Sequence, residues 1–220
     1  MEIKIEPFKN DIGASISCDL KLVDSKIIDQ IKETLNNYGF VCFRNQNLEP
    51  EEYLKFAEQL GKNKEYPMLK DLENYKGITV VERKESDKGK SYGEGWHTDS
   101  SYLDETPKYT CLMGKIVKKD QGQTLFASQF ASYDSLDQNT KDKIENLVGI
   151  FSSAGPISVT RLEREAERGT GKSKDFIAEH PIVRKVGNRK TLYLSPGHTI
   201  AIKNLDEEES KDLLKFLFNH

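Results

Sequence analysis

Trp96-His97-Thr98-Asp99-Ser100-Ser101-Tyr102 is the stretch on which the reading of this chain turns. It sets an imidazole and a carboxylate two residues apart. In an extended segment, residues i and i+2 point to the same side, so His97 and Asp99 can close on one metal ion. A 2-His-1-carboxylate iron site takes three protein ligands on one face and leaves the other open. This tripeptide would supply two of them. The third would have to be one of the other histidines, His180, His198 or His220. An isolated His-x-Asp is weak as a signal, because such tripeptides are common at surfaces and caps.

Composition narrows the classes. The 220 residues are 36% apolar and 31% charged, with a net charge of −3. That is polar for a folded domain but rich enough in aromatics to build a core. The two signs of charge are mixed, so no basic stripe points to nucleic acid and no polybasic arm to anionic lipid. Cys18, Cys42 and Cys111 are odd in number and far apart, which suits reduced thiols packed as small apolar groups. No apolar run approaches the roughly 20 residues that span a bilayer. The N-terminus alternates charge and Ile like a strand, unlike a signal peptide. The expected protein is soluble and cytoplasmic.

Working outward, Asp24 caps a helix whose apolar face is Ile27, Ile28, Ile31 and Leu35, ending at Gly39. Phe40 to Phe43 reads as a short buried strand. Pro50 suits the first turn of a second helix, with Tyr53, Phe56, Ala57 and Leu60 as its face and Gly61 as its end. Residues 62–77 read as irregular and Ile78 to Val81 as a strand. A polar loop over 83–95 delivers His97 and Asp99. Further strands are expected at Lys108–Val117, with Tyr109, Cys111 and Met113 on one side, and at Thr124–Ala127. A helix is expected within Ala131–Val148. The charged stretch 158–179 reads as a solvated segment or as a lid carrying Arg161, Arg164 and Arg168. Strands Pro181–Arg184 and Leu192–Leu194 flank a turn at Gly187-Asn188, and a last helix starts at Asp206. Short strands with flanking helices predict one α+β domain, mainly β at its core.

The order of these stretches resembles the taurine dioxygenase (TauD/TfdA) family. The likeness is carried by Tyr38 to Gln46, by Trp96 to Tyr102 with Pro107, and by Gly122-Gln123-Thr124-Leu125-Phe126 with Ala131 to Leu136. It continues through His180-Pro181-Ile182-Val183-Arg184, Leu192-Tyr193-Leu194 and Leu213 to His220, over essentially the whole chain. The resemblance implies a double-stranded β-helix, or jelly roll, with helices outside. It implies an Fe(II)- and 2-oxoglutarate-dependent dioxygenase that hydroxylates a small anionic organic substrate, a taurine-like sulfonate or related compound, and releases succinate and CO2. His97 and Asp99 would bind iron, and Thr124 would hydrogen-bond a carboxylate of 2-oxoglutarate. The substrate-pocket places are taken here by Tyr66, Leu69, Gly93 and His198, which match no sulfonate-binding set. Expected partners are the small-molecule substrate and O2, with no nucleic acid and no membrane; a homo-oligomer stays open.

The family's third histidine ligand, and the arginine that grips 2-oxoglutarate with two parallel hydrogen bonds, fall beyond the helix that ends here at His220. His180 then reads as a structural histidine, His198 as a pocket or loop residue, and His220 as a helix-end histidine. The resulting expectation is a single domain over 1–220, truncated at the C-terminus with its last strands missing, poorly stable and without turnover of its own. The alternative is a catalytically incomplete remnant or binding domain of the same fold. A hydrolase using another metal at His97 and Asp99 is a third reading.

Overall fold

The computed structural model describes residues 3–64, 66, 71–88, 93–156 and 175–220. Leu69 and the lid arginines Arg161, Arg164 and Arg168 lie outside the described residues. The chain divides into two compact units, one of residues 1–80 and 108–128, the other of 81–107 and 129–220.

In the first unit, β1 (Lys4–Pro7) pairs antiparallel with β2 (Ala14–Ser17), and β3 (Val41–Cys42) runs parallel to β2 on its other side. Helix α1 (Ser25–Tyr38) starts where expected: the Asp24 carboxylate accepts from the Ile27 amide at 2.9 Å. It ends at Gly39, whose φ of 84° lies in the left-handed region that a side chain disfavours. Helix α2 (Pro50–Leu60) opens with a reciprocal capping box between Glu49 and Glu52. Ile16, Ile27, Ile31, Leu48 and Phe56 are the heart of this unit's core. The strand expected at Ile78–Val81 lies earlier, as β5 (Tyr75–Thr79). It pairs with β4 (Asp71–Leu72), inside the stretch read as irregular, around Asn74 at φ 67°.

Lys108–Val117 and Thr124–Ala127 are not strands in the structure. Alternation prepares a strand, but only a hydrogen-bonded neighbour makes one, and neither segment has one among the described residues. The period-two burial survives: Tyr109, Cys111 and Met113 are half-buried, while Thr110, Leu112 and Gly114 are exposed. Met113 packs on the first core, and the Lys115 ammonium donates to the Leu48 carbonyl at 2.7 Å. The three cysteines are free thiols.

In the second unit, the stretch 131–148, expected to contain one helix, takes part in two. Helix α3 (Gln129–Ser135) stops and α4 (Gln138–Ile144) restarts, because Asp137 turns its carboxylate onto the Thr140 amide at 2.9 Å and caps a new helix. The end of that stretch is instead β6 (Val148–Ser152), the centre of a sheet ordered β10-β6-β7, with β7 at Ile177–Pro181 and β10 at Thr199–Ile202. Neither β6 nor β10 was legible as a strand. The hairpin turns at Gly187 as expected, but its strands lie closer to the turn than read, as β8 (Val183–Val186) and β9 (Arg189–Leu192), and Pro181 instead ends β7. Helix α5 (Glu207–Asn219) is capped by Asp206 and lies against β10. Tyr133, Leu136, Ile144, Ile182, Leu192, Leu194 and Leu214 belong to this unit's separate core. Helices and short sheets thus share the chain, an α+β architecture. Among the described residues, no helix is long and apolar enough to cross a membrane.

Candidate metal site

His97 and Asp99 stand on a loop of the second unit that is irregular because it must bend. Gly93, Gly95 and Ser100 all take positive φ, at 72°, 110° and 49°. The two side chains turn to the same side, with His97 Nε2 at 3.4 Å from Asp99 Oδ1. The other ring nitrogen is already committed: Nδ1 lies 2.8 Å from the Gly95 carbonyl, which can only accept. In the neutral ring the proton therefore sits on Nδ1, which leaves the lone pair on Nε2. A backbone acceptor behind an imidazole in this way is how metal-ligating histidines are held in one tautomer. In the protonated ring Nε2–H donates to the Asp99 carboxylate, and this hydrogen bond raises the His97 pKa above its ordinary value; partial burial opposes this, and the Gly95 carbonyl adds to the rise.

Thr98, between the two, faces the other way and is stitched to the loop that precedes β10. Its amide donates to Ser195 Oγ at 3.0 Å, and its hydroxyl donates to the Leu194 carbonyl at 3.3 Å. The Gly197 amide donates to the Trp96 carbonyl at 3.1 Å. Trp96 has an exposed side chain, so its fixed part is its backbone. Beyond Asp99 the chain dives inward: Ser100, Ser101 and Tyr102 are buried.

Of the pocket residues expected in this unit, Gly93 lies against His97. A Cβ there would meet His97 Cε1 at 3.5 Å. His198 is buried, with its ring centroid 6.4 Å from that of His97 and 4.9 Å from that of Tyr102. Tyr66, half-buried, and Thr124, exposed, belong to the first unit.

His180 is a structural histidine, and the structure shows what it holds. It lies on β7 opposite Gly149 of β6, where Phe151 and Tyr193 pack on its ring at 5.3 and 5.6 Å between centroids. Its Nε2–H donates to the Leu103 carbonyl at 3.0 Å, tying β7 to the segment just after Asp99. Burial first, then the Arg184 guanidinium, lowers its pKa below the ordinary value; the Leu103 and Ser101 backbone and Asp104 pull the other way. The folded chain thus favours the neutral ring, while the unfolded chain protonates near the usual ~6.5. The stability this contributes is whole above that value and is lost as pH falls toward and through the lower folded pKa. A chemical-denaturation series from pH 7.5 to 5 should show stability falling in the wild type, with a shallower fall in His180→Gln; parallel slopes would contradict this origin.

His220 closes α5, with its Nε2 2.9 Å from Ser135 Oγ. It is the helix-end residue expected.

An imidazole nitrogen beside a carboxylate oxygen is a donor set that suits a divalent first-row metal such as iron. The set is two ligands: among the described residues, no group of three His, Cys, Asp or Glu side chains could hold a metal. Sequence alone missed the support around the pair, namely Ser195, Gly197 and the role of Thr98.

The taurine catabolism dioxygenase TauD, TfdA family model matches residues 4–220. An alkylsulfatase of Acinetobacter baylyi is 28% identical over 90% of this chain and 63% of its own length. An alpha-ketoglutarate-dependent sulfonate dioxygenase of Saccharomyces cerevisiae is 27% identical over 99% of this chain and 55% of its own. An alpha-ketoglutarate-dependent sulfate ester dioxygenase of Pseudomonas putida is 25% identical over 100% and 75%. The chain thus spans between about half and three quarters of these relatives. Among solved structures, AAD-2 in complex with Mn(II) and N-oxalylglycine superposes with a TM-score of 0.73 at 24% identity, over 100% of this chain and 79% of that one. A taurine dioxygenase from Burkholderia xenovorans gives a TM-score of 0.69 at 20% identity, over 100% and 73%. Both likenesses concern the fold.

Proposed function

From the premise that this chain belongs to the taurine catabolism dioxygenase TauD, TfdA family, we propose that it serves an Fe(II)- and 2-oxoglutarate-dependent dioxygenase. The reaction is hydroxylation of a small anionic organic substrate, a sulfonate or sulfate ester, with release of succinate and CO2. The carrying observation is the convergence of His97 Nε2 and Asp99 Oδ1 at 3.4 Å with Nδ1 already bonded to the Gly95 carbonyl. His97 and Asp99 would hold the metal, which supplies the activation of O2 and 2-oxoglutarate. The substrate class is supported by the sulfonate and sulfate ester named for the relatives.

Within this reading, residues 1–220 form one TauD/TfdA-like domain on a jelly-roll plan. Thr124 hydrogen-bonds a carboxylate of 2-oxoglutarate, an assignment resting on its Gly-x-Thr motif. Gly93 and His198 wall the substrate side; their placement beside the His97 ring supports this. Tyr66 and Leu69 are proposed for the substrate pocket on the family resemblance alone.

One observation favours the second reading, a catalytically incomplete binding domain: the pair has no third ligand among the described residues. An anaerobic titration with Fe(II) and 2-oxoglutarate separates the two. A visible charge-transfer band, followed by succinate on admission of air and an alkyl sulfonate or sulfate ester, is the expected result for the dioxygenase. Metal uptake without band or succinate favours the binding domain, and no metal uptake removes both.

A further inference from the structure

We propose that Ser195 is a positioning residue for the metal pair, acting through the Thr98 amide. This rests on the reading of His97 and Asp99 as metal ligands. The peptide units on either side of Thr98 set the directions in which the His97 and Asp99 side chains leave the backbone. That backbone is held by one side-chain atom, Ser195 Oγ, 3.0 Å from the Thr98 nitrogen and 97 residues away in sequence.

Ser195 is built to be a fixed post. It is fully buried at 0% exposure, so its hydroxyl has no surface role. Its own amide donates to Thr199 Oγ1 at 2.9 Å, and its carbonyl accepts from the His198 and Thr199 amides at 2.9 and 2.7 Å. The loop is backed from behind by Gly155, where a Cβ would lie 2.6 Å from the Gly197 carbonyl oxygen and 2.9 Å from His198 Cα. With no room to retreat, the loop also holds the Trp96 carbonyl through Gly197. Both backbone ties of the Trp96–Thr98 segment therefore end on one rigid loop. Removing Oγ leaves the Thr98 amide unpaired and the peptide plane between the ligands free to rock. Partners bonded directly to metal-ligating side chains are typically worth about 10–100-fold in metal affinity; Ser195 acts one residue removed, through the backbone, so the lower end of that range applies.

The test is a titration of the 220-residue chain with Mn(II), read by loss of the free-ion electron paramagnetic resonance signal. It is accompanied by Thr98 amide hydrogen exchange without metal and by a melting curve. Ser195→Ala is expected to weaken Mn(II) binding about 10-fold or more and to speed Thr98 exchange by a similar factor, while the melting temperature moves little. Ser195→Thr, which keeps the acceptor, is expected to restore both. Should the alanine variant fail to fold, Ser195→Cys keeps the volume with a poorer acceptor and should show the same loss. A folded Ala or Cys variant that binds Mn(II) within about twofold of wild type overturns the positioning role. So does a melting-temperature loss with unchanged affinity, because a merely structural serine would behave that way. A wild-type chain that binds no Mn(II) instead sinks the metal reading and takes this proposal with it, so the two failures are told apart.

Discussion

His97→Ala is expected to lower the affinity of the chain for Mn(II) or Fe(II) by more than about 100-fold, because loss of a ligand must exceed the 10–100-fold cost of losing an outer partner. Asp99→Asn should fall in the same direction, since it keeps the shape but removes the charge that offsets the cation. The pair is open enough to mutate safely, with side chains 27% and 50% exposed, so both variants should melt close to wild type. The control is His220→Ala. That imidazole sits at the end of α5 against Ser135 and should leave metal affinity unchanged. Calorimetric titration under anaerobic conditions checks all three. Undiminished binding in His97→Ala would remove the candidate site altogether.

Phe151→Ala is expected to give the largest loss of stability, about 3–5 kcal/mol, the range for emptying a buried aromatic position. Phe151 is fully buried at 0% exposure in β6, the central strand of its sheet, and its ring meets those of His180 and Tyr193 at 5.3 and 5.5 Å. Against a typical domain stability of about 5–15 kcal/mol, such a loss leaves little margin. The His180 ring would lose its packing and with it the tie to Leu103. Urea unfolding followed by circular dichroism measures the change, and a loss under about 1 kcal/mol would mean that the cavity refills.

What could be read from the residues in order was the set of local elements. Asp24 and Gly39, Pro50 and Gly61, Asp206, and the turn at Gly187 mark starts, stops and turns whose partners lie within a few positions, and the structure keeps them. Where the reading failed, the deciding contact was elsewhere. Asp137 looked like one more polar residue in a helical run, yet its side chain competes for the backbone and splits the run. β6 and β10 carry few cues of their own and exist because they pair with each other and with β7. The segments at Lys108–Val117 and Thr124–Ala127 had the cues without the partner.

The site divides along the same line. The sequence by itself determined that an imidazole and a carboxylate stand two residues apart, because side-chain alternation along an extended backbone is a local property. It also carried, through the family pattern, the kind of metal and co-substrate to expect. Only the tertiary structure decided which way the pair faces. Thr98 reaches Ser195 across 97 positions, His180 reaches Leu103 across 77, and His198 comes to lie beside His97. A hydrogen bond depends on distance in space and is blind to distance along the chain. No local pattern around Thr98 could therefore announce that a buried serine nearly a hundred residues away would hold it.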